Sequence, residues 1–132
     1  MIPNCRLFDI RSFEDQRGGL SFVESGKDIN FKIERLYYLY HTSKNILRGV
    51  HAHKKLEQVL ISLNGSFEVL LSDGNKSQTY ILDRPNLGLY VCPMIWRELN
   101  PLEDNSICMV LASREYEDDD YIHHYDEFLS II

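Results

Sequence analysis

Residues 48–82 read RGVHAHKKLEQVLISLNGSFEVLLSDGNKSQTYIL, and this stretch decides the fold. Two Asx-Gly pairs, Asn64-Gly65 and Asp73-Gly74, separate three runs of about six residues each: Gln58–Leu63, Ser66–Leu71 and Ser77–Leu82. Asn or Asp followed by Gly accepts the positive φ angles of tight turns, so both pairs predict β-hairpins. Upstream, Arg48-Gly49-Val50-His51-Ala52-His53 reads as a strand. Side chains two apart on a strand share a face, so His51 and His53 project together, separated only by Ala52. Gly49, lacking a side chain, lets another group approach the backbone.

The same alternation of short β-rich runs and turn residues extends in both directions. Cys5–Ile10 and Leu20–Glu24 flank a turn or loop at Asp15-Gln16-Arg17-Gly18-Gly19, and Ile33–His41 is dense in tyrosine (Tyr37, Tyr38, Tyr40). Gly88–Pro93 and Ser106–Ala112 supply further strands. Many short strands with regular turns predict an all-β sandwich or barrel, and a jelly-roll fits the count. Only the end differs. Tyr121, Ile122, Tyr125, Phe128 and Leu129 recur at helical spacing, which predicts a short C-terminal amphipathic helix with Asp118–Asp120 near its positive end. His123 and His124 are adjacent and cannot share a helix face, so they read as surface or packing residues.

Composition limits the functions available. The 132 residues suit one domain spanning 1–132, and eight Tyr and six Phe favour β structure with a ring-lined interior. A formal net charge of −6 is a poor basis for nucleic-acid binding, which neutralises phosphates with Lys and Arg. A small anionic ligand stays compatible where a few arginines converge. Cys5, Cys92 and Cys108 lack CxxC spacing and sit among apolar neighbours, so they read as small buried hydrophobes. Asp9 and Arg11 interrupt the N-terminus before a leader-like apolar run, and no run approaches the length of a membrane span; the sequence predicts a cytoplasmic protein.

The order His51-x-His53, four residues, Gln58, six residues, Gly65 resembles the first cupin motif, and Gly88–Pro93 resembles the start of the second. In metal-binding cupins the Gln58 position is usually Glu and a third His follows the proline region. Here Gln58 is neutral, and the five-residue step from Pro93 lands on Glu98 beside Arg97. The donor set is weak for a transition metal, although Glu98 leaves that reading open.

A narrower resemblance spans nearly the whole chain. Tyr37-Tyr38, Arg48-Gly49-x-His51-Ala52-His53-Lys54, Gln58, Gly88-Leu89-Tyr90 and Pro93-Met94-Ile95-Trp96-Arg97-Glu98 occur in the order of the dTDP-4-keto-6-deoxyglucose 3,4-ketoisomerases. Val110-Leu111-Ala112-Ser113, Asp120-Tyr121-Ile122 and Tyr125-Asp126-Glu127-Phe128 continue the match, and His123-His124 departs from it, where Arg-Asp is more usual. The resemblance implies a metal-free, cofactor-free cupin and a dTDP-linked keto-deoxy sugar as substrate, on the route to 3-amino-3,6-dideoxyhexoses of lipopolysaccharide or S-layer glycans. It also implies a homodimer, often with N-terminal strands exchanged. Moving a carbonyl from C4 to C3 passes through an enediol or enediolate. It requires a base near neutral pKa and a donor facing the oxyanion, and histidine suits both tasks.

His53 is then expected as the C3 base, with His51 carrying protons on the C4 side; spacing alone does not settle their order. Tyr37 is a candidate donor to the enediolate, and Arg48 a candidate for the enediolate or pyrophosphate. Trp96 is a candidate wall for the sugar, and Arg17 and Arg97 for the face that receives the proton or for phosphate. Gln58 and Lys55 are candidates for sugar hydroxyls or phosphate. Each has an ordinary alternative: a core tyrosine, a core tryptophan, a surface ion pair, a solvated lysine. Three rival functions remain: a dTDP-sugar 3,5-epimerase, a non-enzymatic sugar-binding cupin, and a metal-dependent dioxygenase or metal-sugar isomerase.

Overall fold

The computed structural model describes residues 2–132. Twelve strands and one helix follow the chain: β1 (Arg6–Asp9), β2 (Ser12–Asp15), β3 (Gly18–Ser21), β4 (Arg35–Leu39), β5 (Arg48–His53) and β6 (Gln58–Asn64). They continue with β7 (Phe67–Ser72), β8 (Ser77–Leu82), β9 (Leu87–Val91), β10 (Trp96–Pro101), β11 (Ile107–Ala112), β12 (Tyr121–Ile122) and α1 (Tyr125–Ile131). Two five-stranded antiparallel sheets, β1-β9-β6-β11-β4 and β12-β5-β10-β7-β8, face each other as a jelly-roll sandwich. This is the predicted all-β cupin class, drawn as two separate ladders and not one closed barrel.

Strand parity distributes the side chains. Leu60 of β6, Leu89 and Val91 of β9, and Cys108 and Val110 of β11 point inward to meet Val69 and Leu71 of β7 and Leu99 of β10. The alternate residues Val59, Ile61 and Leu111 form a second layer outside, covered by Ile10, Ile29 and Phe31 from the N-terminal segment. The outer face of the other sheet is covered by α1, with Phe128 packed on Ala52, Trp96 and Ile122.

Four expectations need correction. Asp73-Gly74 does turn a hairpin, closed by Asp73 Oδ1 accepting from the N–H groups of Asn75 (2.8 Å) and Lys76 (2.7 Å). Asn64-Gly65 does not: β6 pairs with β9 and β11, and the turn carries the chain into the opposite sheet. Gly65 has φ 68°, as the turn chemistry demands, but turn residues cannot say which sheet the next strand joins. Secondly, the loop at residues 15–19 is the tip of a hairpin, β2 with β3, detached from both sheets.

Thirdly, the C-terminal helix is shorter than its periodicity implied. Asp118–Asp120 forms a 3₁₀ turn, and Tyr121–Ile122 pairs as a strand with β5. The acidic run therefore starts no α-helix. The Asp120 carboxylate instead accepts from the backbone N–H groups of Lys55 (2.8 Å) and Leu56 (3.3 Å), pinning the end of β5. Fourthly, Cys5 and Cys108 are buried as expected, but Cys92 is half-exposed, its sulfur 3.7 Å from that of Cys5.

Candidate active site

β5 places His51 and His53 on the inner face, as their spacing predicts, with ring centroids 4.7 Å apart. Opposite His51 on β10 lies Arg97. Between this pair and the next, Leu99 with Arg48, β5 carries one residue more than β10. This is a bulge, with Gly49 at φ 59°, the left-handed conformation that favours glycine. The extra residue changes the parity of the strand, so Arg48 joins the histidine face although it stands three residues before His51. Gly49 also makes room. A Cβ there would lie 3.3 Å from both Arg97 Nη2 and Leu99 Cδ1, so the Arg97 guanidinium and the Leu99 side chain are the groups that approach this backbone.

A cavity of about 280 Å³ opens at this point, walled by Arg35, Tyr37, Arg48, His51, Arg97 and Tyr121 among others. Arg97 is 2% exposed, with Nη2 donating to the Tyr37 hydroxyl (3.1 Å) and to His51 Nε2 (2.8 Å). Guanidinium nitrogens only donate, so His51 Nε2 holds a lone pair and the ring proton of neutral His51 sits on Nδ1. The Nε and Nη1 groups of Arg97 are buried without a partner, and among the described residues no carboxylate pairs with the side chain. A buried cation in that condition is held at considerable cost, which is lowered when an anion reaches it.

His53 is buried beside His51, and its Nδ1 faces the Gln58 amide nitrogen at 3.2 Å. Burial first, and the Arg97 charge second, push the His51 pKa down to about 3 and that of His53 to about 2. Both rings are therefore neutral around pH 7.

The sequence candidates divide. His51, Tyr37, Arg48 and Arg97 meet at one cavity, and His53 and Gln58 stand behind it. Arg97 is not a solvent-facing or peripheral group but the buried centre of the site. Trp96 corrects in the other direction: one residue from Arg97 on β10, it faces away, bonds Glu98 Oε2 through Nε1 (3.0 Å) and packs on Tyr125 and Phe128. It does not line this cavity, and Glu98, on the same outer face, stands away from the imidazoles that a metal would need. Among the described residues no group of three or more His, Cys, Asp or Glu is placed to hold a metal ion. The Lys55 side chain points to solvent, outside the cavity wall. Arg17 sits on the β2–β3 tip, its side chain 87% exposed and paired with Asp15, away from the cavity of its own chain.

Three contributors escaped sequence reading. Arg35 lies over the Tyr37 ring (5.2 Å) and donates to the Tyr121 hydroxyl (3.4 Å); its position two residues before Tyr37 on an inward-facing strand was the available signal. Tyr121 packs its ring at 5.0 Å from His51 and 4.5 Å from His53. His123 stacks on Tyr121 and comes within 6.3 Å of His51, so the departure at His123-His124 lies beside the site and not far from it. A helical reading of this segment hid both residues.

A jelly roll enclosing neutral paired imidazoles, a phenol and converging guanidinium groups defines a cupin-class enzyme built to move protons beside an anion. Comparison with known proteins agrees. The family model described as "FdtA: WxcM-like, C-terminal" matches residues 3–132. The TDP-4-oxo-6-deoxy-α-D-glucose-3,4-oxoisomerase of Aneurinibacillus thermoaerophilus is 46% identical over 127 residues, 96% of this chain and 91% of that protein. The WlaRB TDP-quinovose 3,4-ketoisomerase of Campylobacter jejuni superposes with a TM-score of 0.92 at 43% identity, over 98% of this chain and 99% of that one. The 3,4-ketoisomerase QdtA of Thermoanaerobacterium thermosaccharolyticum superposes with a TM-score of 0.95 at 38% identity, over 99% of this chain and 95% of that one. That structure is a histidine-to-asparagine variant in complex with TDP-4-keto-6-deoxyglucose. The chain belongs to the FdtA, WxcM-like C-terminal family, and it is an isomerase.

Proposed function

We propose that this chain is a 3,4-ketoisomerase converting dTDP-4-keto-6-deoxyglucose to a dTDP-3-keto-6-deoxyhexose through an enediolate, a step toward 3-amino-3,6-dideoxyhexoses. The observation that carries the reading is Arg97: a buried guanidinium with unpaired N–H groups, bonded to the lone pair of one imidazole and to a phenol. Those are the groups needed where a C–H bond is broken beside a carbonyl that becomes an oxyanion.

The reaction balances without a redox partner. Removal of the C3 proton sends the C–H electron pair into a C3=C4 bond and places negative charge on the C4 oxygen. The C3 hydroxyl then gives its proton to the C4 oxygen, and return of a proton to C4 leaves the ketone at C3 and a hydroxyl at C4. His51 Nε2 holds the lone pair, which supports His51 as the base and His53 as the donor side, of the two orders that the sequence left open. A substrate oxygen that accepts from Arg97 frees the His51 lone pair and offsets the charge that depresses its basicity. Tyr37 donates to the same oxygen. Arg48, at the cavity rim, suits the pyrophosphate, with Arg35 adding positive charge nearby.

We further propose a cytoplasmic homodimer. The β2–β3 hairpin pairs with neither sheet and exposes Phe13 and Leu20, while Leu36 and Leu63 are exposed on the outer face of the first sheet. Exchange of hairpins covers these side chains and offers Arg17 to the partner's substrate. Light scattering of the wild type should give twice the chain mass, and a monomer refutes the proposal.

The function is tested by incubating the protein with dTDP-4-keto-6-deoxyglucose in deuterated water and following carbon and proton NMR. The ketone should move to C3, with deuterium entering at C4. Label at both C3 and C5 with the ketone still at C4 identifies an epimerase, and binding without exchange identifies a sugar-binding module; either overturns the reading.

A further inference from the structure

Gln58 occupies the position where a metal-binding cupin presents a carboxylate, yet it does not line the cavity. It is the first residue of β6, 1% exposed, and its amide meets His53 Nδ1 across the two sheets at 3.2 Å. Its other amide atom, Oε1, is buried without a partner, and so is His53 Nε2.

Those facts constrain the imidazole, because an amide can face Nδ1 in two ways. With the nitrogen toward His53, the amide donates to an Nδ1 lone pair, and the carbonyl oxygen, the second amide N–H and the imidazole Nε2–H are left unpaired. With the oxygen toward His53, Nδ1 must carry the proton, and the NH₂ group with its two donors is left where the carbonyl now finds no partner. Two N–H groups lack partners either way, and the structure adopts the first arrangement, with the amide nitrogen facing Nδ1. In it, the proton of neutral His53 resides on Nε2.

We propose that Gln58 is a positioning residue that locks His53 in the Nε2–H tautomer, so that the two catalytic imidazoles differ: His51 keeps a lone pair at Nε2 and His53 a donor. The inference deepens the ketoisomerase reading and rests on it for its chemical purpose. Two chemically identical rings on one strand acquire opposite tasks from opposite partners, a guanidinium that can only donate to His51 and an amide that donates to His53. A carboxylate at position 58 would accept from Nδ1–H and turn His53 into a second lone pair, leaving the enediolate without that donor. The neutral amide is thus a requirement of the proton chemistry and not only the loss of a metal ligand.

The test reads the tautomer directly. Long-range ¹H–¹⁵N NMR of the uniformly labelled wild-type protein at pH 7.5, with His53 assigned by difference from His53→Asn, should show Nδ1 as the unprotonated nitrogen and Nε2 as the protonated one. The Gln58→Glu protein should show the reverse, with kcat lower by about 10²-fold, as for loss of one acid–base group, and KM changed less than about threefold. Gln58→Met removes the donor without burying a charge. It should give a mixture of the two tautomers and an intermediate kcat, which covers the case where Gln58→Glu fails to fold. A protonated Nδ1 in the wild type, or an unchanged tautomer in both variants, overturns the proposal. The wild-type spectrum decides the tautomer whatever reaction the protein catalyses. Failure of the ketoisomerase reading appears separately, as absence of C4 labelling in the wild type.

Discussion

Acidification should weaken this protein through its two central histidines, by an amount the structure defines. The ordinary imidazole pKa of 6.5 is pushed to about 3 at His51 and about 2 at His53. Between pH 7.5 and pH 5 the unfolded chain therefore binds a proton at each position while the folded chain binds neither. Stability rises with pH wherever the unfolded state holds more protons, so this contribution is present above pH 6.5 and is lost as the pH falls below it. At about 1.4 kcal/mol per unit, the 1.5 units between 6.5 and 5 cost about 2 kcal/mol for each ring and about 4 kcal/mol for the pair. The depth of the folded-state shift hardly enters the result, because at pH 5 both rings remain unprotonated in the folded chain. Urea unfolding at fixed protein concentration should then show the midpoint falling by about 2 M over this range, for a slope of about 2 kcal/mol per M. The His51→Asn/His53→Asn double variant should lose that dependence and change by less than about 1 kcal/mol. Carboxylates held low by their partners, such as Asp28 beside Arg11, titrate further down and act equally in both proteins. Parallel pH curves for wild type and double variant would refute the claim that both imidazoles are held neutral by burial and Arg97.

Two further outcomes follow from the same geometry. Tyr37→Phe removes the hydroxyl 3.1 Å from Arg97 Nη2 and should lower kcat by about 10²-fold with little change in KM or in thermal unfolding; an unchanged kcat places the hydroxyl outside the reaction. Gly49→Ala puts a side chain at φ 59° and against the Arg97 guanidinium, so it should cost about 1–2 kcal/mol of stability and also reduce turnover. Gly26→Ala, at φ 76° but with open space around its Cβ, should cost stability alone, and equal turnover losses in the two variants would break the link to Arg97.

Much of the fold was legible because short strands leave local marks. The Asp73-Gly74 hairpin, the inner tyrosine strand and the paired histidines all came from rules that act within ten residues. What escaped depends on partners distant in sequence. Asn64-Gly65 marks a turn correctly, but only the competition of β9 and β11 for β6 sends the next strand to the other sheet. Tyr121 and Ile122 carry helical spacing by coincidence of composition, and the open edge of β5 recruits them as a strand. The resulting aromatic cover over both imidazoles was invisible to a periodicity argument.

Residues 96–101 show most clearly how a single unassigned strand propagates into chemistry. Without β10, Trp96 and Arg97 look equally eligible for the site, and Glu98 stays available to a metal. Once they lie on a strand, alternation allows only one parity to face inward, and Leu99 of the interior core sets which. Arg97 goes in, and Trp96 and Glu98 go out beneath α1. The bulge at Gly49 then performs the complementary operation on β5, turning Arg48 to the histidine face that its spacing denied it. Inward parity on one strand and a broken parity on its neighbour together bring two arginines to one cavity in a chain whose formal charge is −6. Bulk charge therefore says nothing about the anion affinity of this cavity; the register of β5 against β10 decides it.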